Sequence, residues 1–132
     1  MNQQELKILV VKCQKELEDL GYRFPKYKYS ISNRLTRALG KCYYRVNRMT
    51  GEVFDLQIKI SHDLPFNVGA HTVMHELIHV LDPLSDHGYG FKRIAQEVNR
   101  KYGYTISTYA NKESSAAIRQ VRAEKLARVR SY

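Results

Sequence analysis

Cysteine is scarce in this chain. There are two, Cys13 and Cys42, in 132 residues. That is too few for a disulfide scaffold, and the absence of any Cys-x-x-Cys pair excludes a zinc ribbon. Both read as small, buried apolar residues. No apolar run approaches the roughly 20 residues that span a bilayer, so no membrane contact is expected. The start, MNQQELKILVVK, has acidic Glu5 ahead of its apolar stretch. It lacks the basic region and small-residue cleavage site of a signal peptide, which predicts a cytoplasmic protein. Internal repeats and low-complexity segments are missing too. So are Asp and Glu between Gly21 and Thr50.

Positive charge is plentiful. The net charge is +9 and the computed pI about 9.6. Within residues 21–50 stand Arg23, Lys26, Lys28, Arg34, Arg37, Lys41, Arg45 and Arg48, interleaved with Tyr22, Phe24, Tyr27, Tyr29, Tyr43 and Tyr44. Cations for phosphates and rings for bases are what contact with nucleic acid requires, single-stranded DNA above all. The bland alternative is a basic sheet surface with its tyrosines in the core. Hydrophobic residues make up 43% and charged residues 27%, ordinary values for one globular domain.

Periodicity predicts an α+β fold. Leu6, Leu9, Val10, Cys13, Leu17 and Leu20 form one stripe of a helix over residues 3–20, which Gly21 ends. Residues 26–31 alternate as a strand. A hairpin follows, with Cys42, Tyr44 and Val46 on one face and a turn at Asn47–Gly51. Its second strand sets Phe54, Leu56, Ile58 and Ile60 against Val53, Asp55, Gln57 and Lys59. The expectation is a small three-stranded antiparallel sheet. A second helix, apolar on every side and therefore buried, should start at an Asn67 cap and stop at Asp82, before Pro83. Two further helices are predicted. The first carries Phe91, Ile94, Ala95, Val98 and Tyr102, with Gly103 as its stop. The second is a basic C-terminal helix within residues 111–132, after a domain of residues 1–110.

The sharp chemistry lies in HELIH, residues 75–79. Positions i and i+4 share a helix face, so His75 and His79 can aim two imidazoles at one metal ion. Zinc suits such nitrogens at about 2.0–2.1 Å. Glu76 projects roughly 100° away, beside the metal, where it can act as general base towards a water in the fourth position. Unpaired His and Glu in a buried helix would carry a heavy desolvation cost, which argues against an inert core. His87 is favoured as third ligand, because the reversal at Asp82-Pro83 can return it to the metal. Glu97, Asp82 and Asp86 are the alternatives. Asp82 is also a candidate hydrogen-bond partner for His79. His71 could support the site or merely face a strand, and His62 reads as a surface residue. Arg34, Tyr44 and Tyr89 are conceivable oxyanion stabilisers.

HELIH followed by LDPLSDHGYGF resembles the SprT-like metalloproteases, whose pattern is HExxH, a loop, then His-Gly-x-x-Phe. The matching positions are His75, Glu76, His79, His87, Gly88 and Phe91. Asn33-Arg34-Leu35, Leu39-Gly40-Lys41-Cys42 and Ile60-Ser61 are similar to the family's strand segments. The resemblance covers roughly residues 5–105. It implies a zinc-dependent peptidase, with a small sheet packed on a zincin-type active-site helix. Eukaryotic members degrade proteins crosslinked to DNA, with DNA as cofactor. Many relatives carry a C-terminal zinc ribbon; this sequence has a basic segment there instead. Two other readings stay open. One is a nucleic-acid-binding module around a structural zinc. The other is a regulatory peptidase that cuts one specific protein.

Overall fold

The computed structural model describes residues 1–84 and 87–107. Helix α1 spans Gln3–Asp19. Asn2 caps it: its side chain accepts from the Glu5 amide at 2.8 Å, and the Glu5 carboxylate accepts from the Asn2 amide at 3.0 Å. This reciprocal pair satisfies two amides that a helix start leaves orphaned. Of the predicted stripe, Leu6, Leu9, Val10, Cys13 and Leu17 are buried, while Leu20 falls at the C-cap, one residue past the helix, and is half-buried. Gly21 follows at φ +100°, a conformation that favours glycine.

Three strands follow: β1, Tyr27–Ser32; β2, Gly40–Val46; β3, Val53–Ser61. Their order is β1-β3-β2. β2 and β3 form the predicted antiparallel hairpin, but β1 runs parallel to β3, so the sheet is mixed rather than antiparallel. The segment joining β1 to β2 carries the chain past β3, and β1 takes the far edge. The hairpin turn closes at Asn47, whose side chain accepts from the Met49 and Thr50 amides.

Alternation in β3 also departs from expectation. Leu56, Ile58 and Ile60 face the core, but Phe54 is exposed. Tyr43 pairs with Gln57 and Arg45 with Phe54, so Tyr44 faces two residues, Asp55 and Leu56. Asp55, at φ +56°, makes this bulge. One extra residue inverts the phase. Phe54 therefore points away and Val53 packs towards the core.

A 3-10 turn, Phe66–Val68, precedes helix α2, Gly69–Leu81. Val68, not Asn67, takes the cap position, and no side chain caps this end. Asn67 is absorbed into the preceding turn. As expected, α2 is enclosed: Val73, Met74, Leu77, Ile78 and Val80 are buried. It packs across β2 and β3, with α1 at its side. It ends before Asp82. Helix α3, Tyr89–Tyr102, packs on α2 through Phe91, Ile94, Ala95 and Val98, and Gly103 closes it at φ +76°. The predicted helix over 111–130 and the boundary at residue 110 lie outside the described residues. Among the described residues, no helix is long and apolar enough to cross a membrane.

Candidate metal centre

His75 and His79 lie one turn apart on α2, and His87 sits in the connection ahead of α3. Their Nε2 atoms converge. His79 is 3.2 Å from His75 and 3.1 Å from His87, and His87 is 3.1 Å from His75. Neutral imidazoles have one N–H each, so a triangle of facing Nε2 atoms is poorly served by hydrogen bonds. It suits a shared cation: tetrahedral zinc at about 2.0–2.1 Å would hold its nitrogens about 3.3 Å apart. Burial, then the neighbouring His75 and His87, lower the His79 pKa from its ordinary value to about 3. The ring is therefore neutral at physiological pH, the form that binds metal. The residues present fit a zinc ion.

Two features hold His87 in place. Its φ of +66° is strained for a residue with a Cβ, and it belongs to the chain reversal between α2 and α3. Phe91 is fully buried, and its ring centroid lies 4.7–5.0 Å from all three imidazoles. Asp82 and Gly90 clasp the same reversal. A Cβ at position 90 would fall 1.7 Å from the Asp82 Oδ2, so the carboxylate rests directly on the glycine. Gly90 belongs to the first turn of α3, where a negative charge is favoured.

Glu76 is 5% exposed and packs against β2. A Cβ on Gly40 would lie 3.0 Å from both Glu76 Cγ and Thr72 Cγ2, so any larger residue would have to push these two side chains back. Gly40, Cys42 and Tyr44 form one wall of a cleft of about 420 Å³. His75, Glu76 and His79 line it from α2, and Pro83 and His87 from the connection. Burial, with the nearby Glu76, pushes the Cys42 thiol up to about 12. Sequence reasoning missed Gly40 and Cys42 as cleft residues. The alternation Gly40-Cys42-Tyr44 is the signal that could have found them, once β2 was set against α2.

The other candidates are elsewhere. His71 meets Thr105 Oγ1 at 3.2 Å. His62 is at the surface beside Asp63 and the Ser32 carbonyl. Glu97 accepts from the Tyr22 hydroxyl at 2.9 Å and pairs with Arg93. Asp86 lies outside the described residues. Of the proposed oxyanion stabilisers, Tyr44 lines the cleft; Arg34 and Tyr89 do not. The eight basic residues of 21–50 are all exposed. Lys28 and Lys41 project from the sheet face opposite the core, and Arg45 pairs with Asp55 at 3.9 Å. Arg23, Lys26, Arg34, Arg37 and Arg48 lie on connections.

A model of the SprT-like family matches residues 9–110. The chain belongs to the SprT-like family. The match includes the whole sheet, α2, α3 and all three converging histidines, so the SprT-like part of the chain is the part that builds the cleft. SprT-like proteins are zinc-associated and metalloprotease-like, which agrees with the donor set here. No curated protein and no solved structure matches the chain.

Proposed function

We propose that this chain is a zinc-dependent peptidase, with His75, His79 and His87 as metal ligands and Glu76 as general base. The observation that carries this reading is the meeting of three Nε2 atoms within 3.2 Å beside a buried glutamate in an open cleft. A zinc ion held there supplies Lewis acidity and lowers the pKa of water towards about 7.

The chain's own residues do the rest. Glu76 takes a proton from the attacking water as its oxygen bonds to the carbonyl carbon. Glu76 then gives that proton to the amide nitrogen as the C–N bond breaks, leaving a carboxylic acid and an amine; the acid's proton then passes to the amine, giving carboxylate and ammonium. Such acid–base transfer is typically worth about 10²–10⁴ in rate. Packing against Gly40 fixes the Glu76 side chain, so little of that factor is lost to motion. β2 is an edge strand, and its Gly40–Cys42 stretch borders the cleft. An extended peptide can pair along it, which favours unfolded or loop segments of proteins as substrate. The test is metal dependence. Chelation should abolish cleavage of casein, one equivalent of zinc should restore it, and His87→Ala should prevent that restoration. Cleavage that survives complete zinc removal would refute the reading.

A specific observation also favours a nucleic-acid partner. α1 and α2 pack on one face of the sheet. The opposite face carries Lys28, Lys41, Tyr43 and Lys59. Lys41 and Lys59 are direct cross-strand partners, a like-charge pair that destabilises a sheet. Both ammonium groups lie over the Tyr43 ring, at 5.2 and 5.3 Å. A polyanion would relieve that repulsion, and the ring offers a stacking surface. We therefore propose that single-stranded DNA lies on this face, which would bring DNA-bound proteins to the cleft.

A further inference from the structure

The cleft has a base and a set of metal ligands, but peptide hydrolysis also needs a donor for the carbonyl oxygen. Negative charge builds on that oxygen as the carbonyl carbon becomes tetrahedral, and a preorganised donor there often contributes strongly to the rate. The inventory of the cleft narrows the choice. Ala38, Gly40 and Pro83 have no side-chain donor. The three histidines are committed as ligands, and Glu76 as base. Cys42 offers only a thiol, a weak donor. Lys41 borders the cleft, but its ammonium lies over Tyr43 on the other face of the sheet.

Tyr44 is left. It follows Gly40 and Cys42 on the same face of β2 and closes that wall of the cleft. The β3 bulge lies directly opposite it, and bulges beside active sites re-aim side chains. Four tyrosines have their hydroxyls engaged: Tyr22 with Glu97, Tyr27 with Gln14, Tyr102 with the Glu16 carbonyl, and Tyr104 with the Glu16 carboxylate; Tyr29, Tyr43 and Tyr89 do not line the cleft. The Tyr44 hydroxyl has no hydrogen-bond partner among the described residues, and the residue is 42% exposed at the mouth of the cleft. We infer that Tyr44 is a catalytic residue whose hydroxyl donates to the substrate carbonyl oxygen as it gains negative charge.

This inference rests on the peptidase reading. It is tested by Tyr44→Phe in the zinc-loaded protein, which keeps the ring and removes the donor. The probes are casein turnover and the affinity of a phosphinic peptide, which mimics the tetrahedral carbon. Losing one such donor typically costs about 10²–10³ in rate, so kcat should fall by that factor while KM stays nearly constant. Phosphinic peptide affinity should fall in parallel. Zinc affinity and melting temperature should match the wild type, which a merely structural tyrosine would not predict. Tyr89→Phe, on the exposed first residue of α3, should change neither probe. A Tyr44→Phe protein that binds the phosphinic peptide as tightly as the wild type overturns the assignment. Zinc-loaded wild type that neither cleaves casein nor binds the phosphinic peptide overturns the peptidase reading, and this assignment with it.

Discussion

Gly90→Ala should cost more than an ordinary helix substitution, because of what it touches. Gly90 has no left-handed backbone, so alanine meets no conformational penalty there. In a first helical turn alanine would ordinarily stabilise the chain by a few tenths of a kcal/mol to about 1 kcal/mol. Here the new Cβ would lie 1.7 Å from Asp82 Oδ2 and 2.9 Å from Asp82 Cγ. Either the carboxylate leaves or the start of α3 moves outward. Both disturb the reversal that holds His87, three residues before. Overpacking of this kind typically costs about 1–3 kcal/mol. A ligand displaced from its seat loses metal affinity, about 10–100-fold by analogy with lost supporting contacts. Gly103→Ala is the control. It has open space but a φ of +76°, so it should lose about 1 kcal/mol and keep full zinc affinity. Competition with a chromophoric chelator and thermal melts measure both quantities. A Gly90→Ala protein with wild-type zinc affinity and wild-type stability would refute the clasp.

Other outcomes follow from the same geometry. The His79 imidazole stays neutral to about pH 3 in the native site, against about 6.5 unfolded. Between those values the unfolded chain binds a proton that the native site refuses. The stability present above pH 6.5 is therefore lost progressively as pH falls towards 3. Urea midpoints of the metal-free protein should drop steadily below about pH 6.5; a flat series would contradict this. Burial raises the thiols of Cys13 and Cys42 to about 11 and about 12. Neither should react quickly with a thiol reagent near pH 8 until denaturant is added; fast native labelling would show the burial to be wrong. Replacing Lys41 and Lys59 together by alanine should weaken single-stranded DNA binding and lower its salt slope by about 1.4, at about 0.7 per charge. An unchanged slope would remove the outer sheet face from the interface.

What the sequence disclosed was what local spacing encodes. The stripe of α1, the enclosure of α2, the stop at Asp82 and the i, i+4 pair in HELIH each depend on neighbours within a few residues. The β1 pairing was not legible, because parallel and antiparallel partners share the same alternation and only the path of the chain decides. The bulge at Asp55 was hidden for a different reason. Its positive φ falls on an aspartate, with no glycine to mark it, so the phase of Phe54 was read wrongly. The Asn67 cap failed because Pro65 starts a 3-10 turn that uses up the residue. His87 could be proposed as a ligand, but its seat under Phe91 and behind the Asp82–Gly90 contact depends on how α3 returns to α2. Cys42 read as an ordinary apolar residue, yet it lines the cleft.

If Glu76 performs acid–base chemistry in a cleft whose metal is held by other residues, its loss should leave metal binding intact. The most direct measurement compares the wild type with Glu76→Gln, loaded with one equivalent of zinc, on a protein bound to single-stranded DNA. Equal zinc content, near-equal stability and a fall in cleavage of about 10²–10⁴ are expected. Cleavage by Glu76→Gln at the wild-type rate, with zinc in place, would contradict that role for Glu76.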